Sequence, residues 1–258
     1  CESLDPEDQQ KLELIAGDGA SWIDDCHKLY FPNAVRCVDP FHIVTWINKA
    51  LDEVRKQCGA QAVKEYNRER TLAYKEAERL RSEWTDEYQR YKAAVDELES
   101  IEHKRGRRSK KILELIQFKT EFEEKYGETM DIMLKAKKEG FLTEEQMKRL
   151  EELEAKQASV KGCKYALGMN PENLTDYNVE KLELIKQSNP ALYRAYMLKE
   201  QLRVIIHMTD RTVAKEELSK WIEDAKDSEF DAFKDLAKKV ERFSEGILNS
   251  IQYGASSS

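Results

Sequence analysis

Asp18 and Asp39 are the residues whose type and placement could do chemistry. Leu12, Leu14 and Ile15 form a short apolar run that stops at Gly17-Asp18-Gly19, and Ala34-Val35-Arg36-Cys37-Val38 forms a second that stops at Asp39-Pro40. Each aspartate therefore falls at the carboxyl end of a predicted strand, the edge where parallel α/β sheets place their sites. Neighbouring strands lie about 4.8 Å apart, so the two carboxylates could share a divalent cation, and Mg²⁺ accepts one or two carboxylates alongside waters and substrate phosphates. His42 falls in the first turn of the next helix and can point back to the same edge. The same positions also suit purely structural roles: Asp18 as a turn residue, Asp39 as a helix N-cap, His42 as a hydrogen-bonded histidine. His27, His103 and His207 lack an acidic or cysteine partner at ligand spacing, and no Gly-rich phosphate loop, H-E-x-x-H or G-x-S-x-G occurs.

The elements that must position these residues follow from periodicity. Trp22, Ile23, Cys26, Leu29 and Tyr30 have helical spacing and end at Phe31-Pro32-Asn33, and a second helix starts at Phe41 with Ile43, Val44, Ile47 and Leu51. The order strand, helix, strand, helix predicts a mostly parallel α/β sheet. Two strands do not make a stable sheet, so the others are expected outside these residues or from another chain. From about residue 60 to 158 the sequence is charged and helical, with Leu72, Leu80, Trp84, Tyr88, Tyr91, Val95 and Leu98 on one stripe. Lys104, Arg105, Arg107, Arg108, Lys110 and Lys111 interrupt it before a helical run from Ile112, which predicts a helical hairpin with a basic tip suited to phosphate contacts. Thr143 with Gln146 reads as a capping box, and Leu142 with Met147 as its hydrophobic staple, so a helix is expected from about residue 144. Beyond Lys161-Gly162 come amphipathic helices: one capped by Thr175 and ending at Ser188, one carrying Leu192 to Ile205, and one carrying Phe230, Phe233, Leu236, Val240, Phe243, Ile247 and Ile251. The fold class is thus α/β plus a large all-α portion, in segments 1–58, 59–160 and 161–258.

Composition bounds the function. The 258 residues hold 43 Lys and Arg against 50 Asp and Glu, a net charge of −7, and 36% are charged against about 25% in an ordinary domain. No global positive field draws the chain to nucleic acid, so DNA contact has to be local. No apolar run approaches the ~18 residues of a membrane span and no secretory signal is visible, so a cytoplasmic setting without membrane contact is expected. The five cysteines (Cys1, Cys26, Cys37, Cys58, Cys163) include no C-x-x-C pair and read as reduced thiols. A start at Cys1 in place of Met reads as a processed chain or a fragment.

The blocks Gly17-Asp18-Gly19-Ala20-Ser21-Trp22-Ile23 and Phe31-Pro32-Asn33-Ala34-Val35-Arg36-Cys37-Val38-Asp39-Pro40-Phe41-His42 resemble the central part of bacterial insertion-sequence transposases of the ISL-three family. Lys161-Gly162-Cys163-Lys164-Tyr165, Asn170-Pro171-Glu172-Asn173-Leu174-Thr175, Leu192-Tyr193-Arg194-Ala195-Tyr196 and Ile247-Leu248-Asn249-Ser250-Ile251 resemble it in the same order. The resemblance implies a ribonuclease H-like core, partial over 1–58, interrupted by a helical insertion over 59–160 and followed by a helical region over 161–258. It implies an Asp, Asp, Glu triad acting by two-metal phosphoryl transfer on DNA with Mg²⁺ or Mn²⁺. Asp18 corresponds to the second catalytic aspartate, a metal ligand, and Asp39 with His42 to a supporting D-x-x-H element. The implied partners are transposon ends and target DNA, with self-association, at the bacterial nucleoid. The first aspartate and the glutamate have no counterpart here, so the chain is expected to be an incomplete and inactive piece.

Two other classes fit parts of the sequence. One is a non-catalytic helical interaction or inhibitory DNA-binding module formed by residues 60–254; the other is a Mg²⁺ phosphohydrolase resting on the two aspartates alone.

Overall fold

The computed structural model describes residues 5–101, 108–136 and 138–254. In chain order its elements are α1 (Pro6–Lys11), β1 (Leu14–Gly17), α2 (Ser21–Tyr30), β2 (Val35–Val38), α3 (Pro40–Ser100), α4 (Lys110–Tyr126), α5 (Met130–Lys135), α6 (Glu144–Val160), α7 (Lys164–Gly168), α8 (Asp176–Ser188), α9 (Pro190–Ile206), α10 (Arg211–Asp227), α11 (Asp231–Arg242) and α12 (Ser244–Tyr253). They form two compact units, one from Cys1–Val63 with Ala155–Ser258 and one from Lys64–Glu154.

In the first unit β1 and β2 pair in parallel, with Leu14 opposite Val35 and Gly17 opposite Val38. The expected strand, helix, strand, helix order is present, and among the described residues the sheet has these two strands. One edge of β2 is closed by a helix. Asn249 Nδ2 donates to the Arg36 carbonyl at 3.0 Å, and Ser250 Oγ donates to the Val38 carbonyl at 2.5 Å, with the Gly246 carbonyl of its own helix at 2.9 Å. The approach depends on Gly246, where a Cβ would sit 2.9 Å from Val38 Cγ2. Below the sheet Ile43, Ile47, Leu51 and Val54 of α3 pack with Leu167, Ile185, Leu192, Leu202, Leu218, Trp221, Phe233, Val240 and Ile247 in one core.

α3 is a single helix of 61 residues, where the sequence suggested a helix from Phe41 followed by a separate charged stretch. No proline and only Gly59 occur between Phe41 and Ser100, so nothing local ends it. The converse holds at the C-terminal stripe expected as one helix. It is two helices, α11 and α12, parted at Phe243 (φ −102°, ψ 12°). Both halves face the same core, so the apolar period continues through the bend, which sets α12 along β2.

In the second unit α4 returns along the last turns of α3, as a hairpin requires. Lys111 pairs with Glu97 at 2.5 Å, Tyr91 donates to Glu123 at 2.8 Å, and Lys125 reaches Glu87 at 3.3 Å. Trp84 stacks on Tyr88 with centroids 5.3 Å apart, and Tyr91 on Phe122 at 4.5 Å. Leu72, expected on the same stripe, is 53% exposed. The capping box is formed: Thr143 Oγ1 accepts from Gln146 N–H at 3.1 Å and Gln146 Oε1 from Thr143 N–H at 2.9 Å. Met147, the expected staple partner, is exposed, while Leu142 packs on the Trp84–Phe141 cluster. No described helix is long and apolar enough to cross a membrane.

Replacing Ser250 with Ala strips the buried Val38 carbonyl of its hydroxyl donor. Chemical denaturation is expected to show a loss of about 1–3 kcal/mol; an unchanged midpoint would show that α12 is not what closes that edge.

Candidate active site

The parallel register places Asp18 and Asp39 side by side, each one residue past the last pair of the ladder, with Asp39 N–H donating to the Gly17 carbonyl at 3.0 Å. Both also do the structural work their positions suggest. Asp18 Oδ1 accepts from Ala20 N–H at 2.9 Å, closing the turn into α2, and Asp39 Oδ1 accepts from Phe41 N–H at 2.9 Å, capping α3 ahead of Pro40. Asp39 is buried. His42 lies in the first turn of α3, its backbone N–H donating to the Asp39 carbonyl at 3.0 Å and its ring edge-on to Phe41 at 5.7 Å. His27 donates through Nε2 to the Ala34 carbonyl at 2.7 Å, a structural role.

Arg36, Trp46 and Lys239, which sequence reasoning passed over, surround the Asp18 turn. Arg36, in the middle of β2, donates to the Asp18 and Cys37 carbonyls, to the Gly17 carbonyl at 3.4 Å, and through Nε to Asp24 Oδ1 at 3.1 Å. Its signal was visible: an arginine within a short β-branched run must find acceptors or stay out of the core. Trp46 of α3 and Phe243 pack with centroids 5.8 Å apart, and the turn rests on them so closely that a Cβ on Gly19 would lie 2.9 Å from each ring. Lys239 of α11 sets its Nζ 3.7 Å from the Trp46 ring centroid, a cation–π contact. Burial there pushes the Lys239 ammonium pKa down, the Asp18 carboxylate opposes that shift, and Lys49 reinforces it. The site therefore pairs an acidic strand edge with a half-buried cation from a helix some 200 residues later in the chain.

The second Asp18 carboxylate oxygen has no hydrogen bond or ion pair among the described residues, so the donor chemistry fits one ligand of a divalent cation. No group of three His, Cys, Asp or Glu side chains able to hold a metal ion occurs among the described residues. Of the basic run, Lys104, Arg105 and Arg107 lie outside the described residues. Arg108 is exposed, Lys110 approaches Glu114 at 3.7 Å, and Lys111 pairs with Glu97, both pairs solvent-screened.

Asp39→Ala removes the α3 cap and is expected to cost about 1 kcal/mol in a denaturation experiment. Asp18→Asn keeps the acceptor for Ala20 and is expected to change stability by less than about 0.5 kcal/mol. A larger loss for Asp18→Asn would assign its charge to folding, through Lys239.

A sequence profile described as "Transposase", that of the ISL-three DDE family, matches residues 1–139 and 133–258. The chain is 28% identical over 255 residues to proteins named "Transposase for insertion sequence element IS1557" from two strains of Mycobacterium tuberculosis, CDC 1551 / Oshkosh and ATCC 25618 / H37Rv. The match covers 99% of this chain and 42% of each relative, so the chain spans under half the length of the curated relatives it matches. No solved structure matches it. With the profile accounting for the whole length in two overlapping matches, the chain belongs to the ISL-three family of insertion-sequence transposases.

Proposed function

We propose that this chain supplies part of the catalytic centre of a DNA transposase, with Asp18 as one of the carboxylates that hold the divalent cations. The observation that carries the reading is Asp18 at the carboxyl end of a parallel strand, beside Asp39, in a chain of this family. Residues 1–58 are read as a partial ribonuclease H-like core, 59–160 as an inserted helical hairpin, and 161–258 as a helical region that shares the core with 1–58. Two features support a partial core: among the described residues β1 has a strand on one side only, and α2 leaves Trp22 and Leu29 63% and 72% exposed.

Bound Mg²⁺ or Mn²⁺ would activate the attacking oxygen and stabilise the leaving one in phosphoryl transfer on DNA. The chain's own residues prepare for this. Arg36 holds the Asp18 turn through its backbone carbonyls and leaves the carboxylate free to ligate. Asp39, by capping α3, sets the neighbouring strand end, with His42 one turn on. Lys239 offers positive charge at the same edge, suited to a phosphate. The basic tip, with Lys104, Arg105, Arg107, Arg108, Lys110 and Lys111, is read as a duplex contact on transposon ends or target DNA, and self-association as the means of pairing two ends. The resemblance assigns one of three triad carboxylates to these residues, so the 258 residues alone are read as binding DNA without cleaving it.

The test uses the longer polypeptide that carries these residues, with DNA bearing the element's ends and Mg²⁺ or Mn²⁺. Asp18→Asn is expected to reduce strand cleavage to background with DNA affinity retained; cleavage at the parent rate would remove Asp18 from the metal site. Replacing Lys104, Arg105, Arg107 and Arg108 with Gln is expected to flatten the salt dependence of duplex binding, by about 0.9 in log–log slope for each phosphate these side chains neutralise. An unchanged slope would take the tip out of the DNA interface.

A further inference from the structure

We propose that Lys239 is a catalytic residue of the transposase centre: its ammonium, seated on the Trp46 ring, contacts a non-bridging oxygen of the phosphate that is cut. The proposal rests on the reading of Asp18 as a metal ligand and names the side chain that meets the substrate beside it.

The geometry runs through one aromatic pair. The turn that carries Asp18 lies against Trp46 and Phe243, so closely that a Cβ on Gly19 would sit 2.9 Å from each ring. Lys239 Nζ lies over the same Trp46 ring, 3.7 Å from its centroid, and the Arg242 guanidinium lies 5.1 Å from the Phe243 centroid. Two cations one turn apart near the end of α11 thus rest on the two rings that carry the turn. Lys49, one turn past Trp46 on α3, is an exposed third cation that acts on Lys239.

These cations differ from the others on α11. Lys234 approaches Asp231 at 3.6 Å, Lys238 pairs with Asp235 at 2.9 Å, and Glu241 is taken by Lys226 of α10 at 2.7 Å. Every acid of α11 is thereby engaged, and Lys239, Arg242 and Lys49 have no ion pair among the described residues. A half-buried ammonium loses hydration that a cation–π contact repays only in part. Asp18 is near enough to act on Lys239 electrostatically without being its ion-pair partner. A carboxylate open to a cation thus stands beside an ammonium open to an anion, and a phosphodiester offers two non-bridging oxygens, one for each side. In the transfer an oxygen of water or of a 3′ hydroxyl bonds to phosphorus as the bond to the leaving oxygen breaks. The attacking group's proton goes to solvent, and the leaving oxygen takes one from it. Lys239 keeps its proton and holds positive charge against a non-bridging oxygen, its place fixed by Trp46 before the reaction begins.

The test uses the longer polypeptide with DNA bearing the element's ends. In single-turnover assays at saturating DNA with Mg²⁺ or Mn²⁺, Lys239→Gln is expected to cleave at least about ten-fold more slowly than the parent, with Lys239→Arg between them. Lys239→Met, which keeps the aliphatic stem against Trp46, takes the place of the Gln variant if thermal melting shows that variant unfolded. Binding is read separately in EDTA. There Lys239→Gln is expected to lower the log–log salt slope by about 0.9, and an uncharged methylphosphonate at the cleaved position to lower the parent's slope by the same amount. Together the two changes are expected to lower it by about 0.9 and not by twice that, because both remove one contact. Fully additive slopes would place Lys239 away from the cleaved phosphate and overturn the proposal, as would cleavage by Lys239→Gln at the parent rate. In either case an inactive Asp18→Asn leaves the metal reading standing. If Asp18→Asn cleaves at the parent rate, both fall.

Discussion

The outer edge of β2 is the constraint on which the site depends. A strand presents carbonyl and N–H groups on both edges, and those that are buried must be paired. β1 satisfies one edge of β2; Asn249 and Ser250 of α12, more than 200 residues away in sequence, supply donors to the other. Because α12 also places Ile247 and Leu248 in the main core, the strand that delivers Asp39 is fixed by the same helix that completes the hydrophobic packing. Sheet geometry and helical core thus form one cooperative arrangement in the first unit.

The Asp18 turn is held by a related economy. Arg36 satisfies backbone carbonyls, and so leaves the carboxylate of Asp18, among the described residues, with only the Ala20 bond. Trp46 serves two neighbours, carrying the turn at its edge and the Lys239 ammonium over its face. A cation held this way is half desolvated, and it balances an acidic edge without forming the close ion pair that would tie up the aspartate. The Gly19 contact explains why that turn is Gly-Asp-Gly: the second glycine leaves room for two aromatic rings.

The second unit is built on a different principle. Its surface ion pairs are mostly exposed and worth little singly. What holds the hairpin is the aromatic run of Trp84, Tyr88, Tyr91, Phe122 and Tyr126, stacked or tilted across α3 and α4. The Trp84 indole N–H is buried without a partner among the described residues, so shape and area outweigh polar satisfaction there.

Local signals settled much of this protein in advance. The strand order, the caps at Thr143 and Thr175, the hairpin and the placing of two aspartates at strand ends all depend on neighbours a few residues apart, and periodicity and cap chemistry report those directly. Resemblance in short blocks around Asp18 and Asp39 carried the family. Tertiary structure alone decided the rest. The unbroken run of α3, the bend at Phe243, the exposure of Leu72 and Met147, the sealing of β2 by Asn249 and Ser250, and the meeting of Lys239 with Trp46 depend on what each residue packs against. An apolar period records that a face is buried; it does not record the direction of the axis or the identity of the neighbour, because residues far apart in the chain leave no periodic trace of their contact.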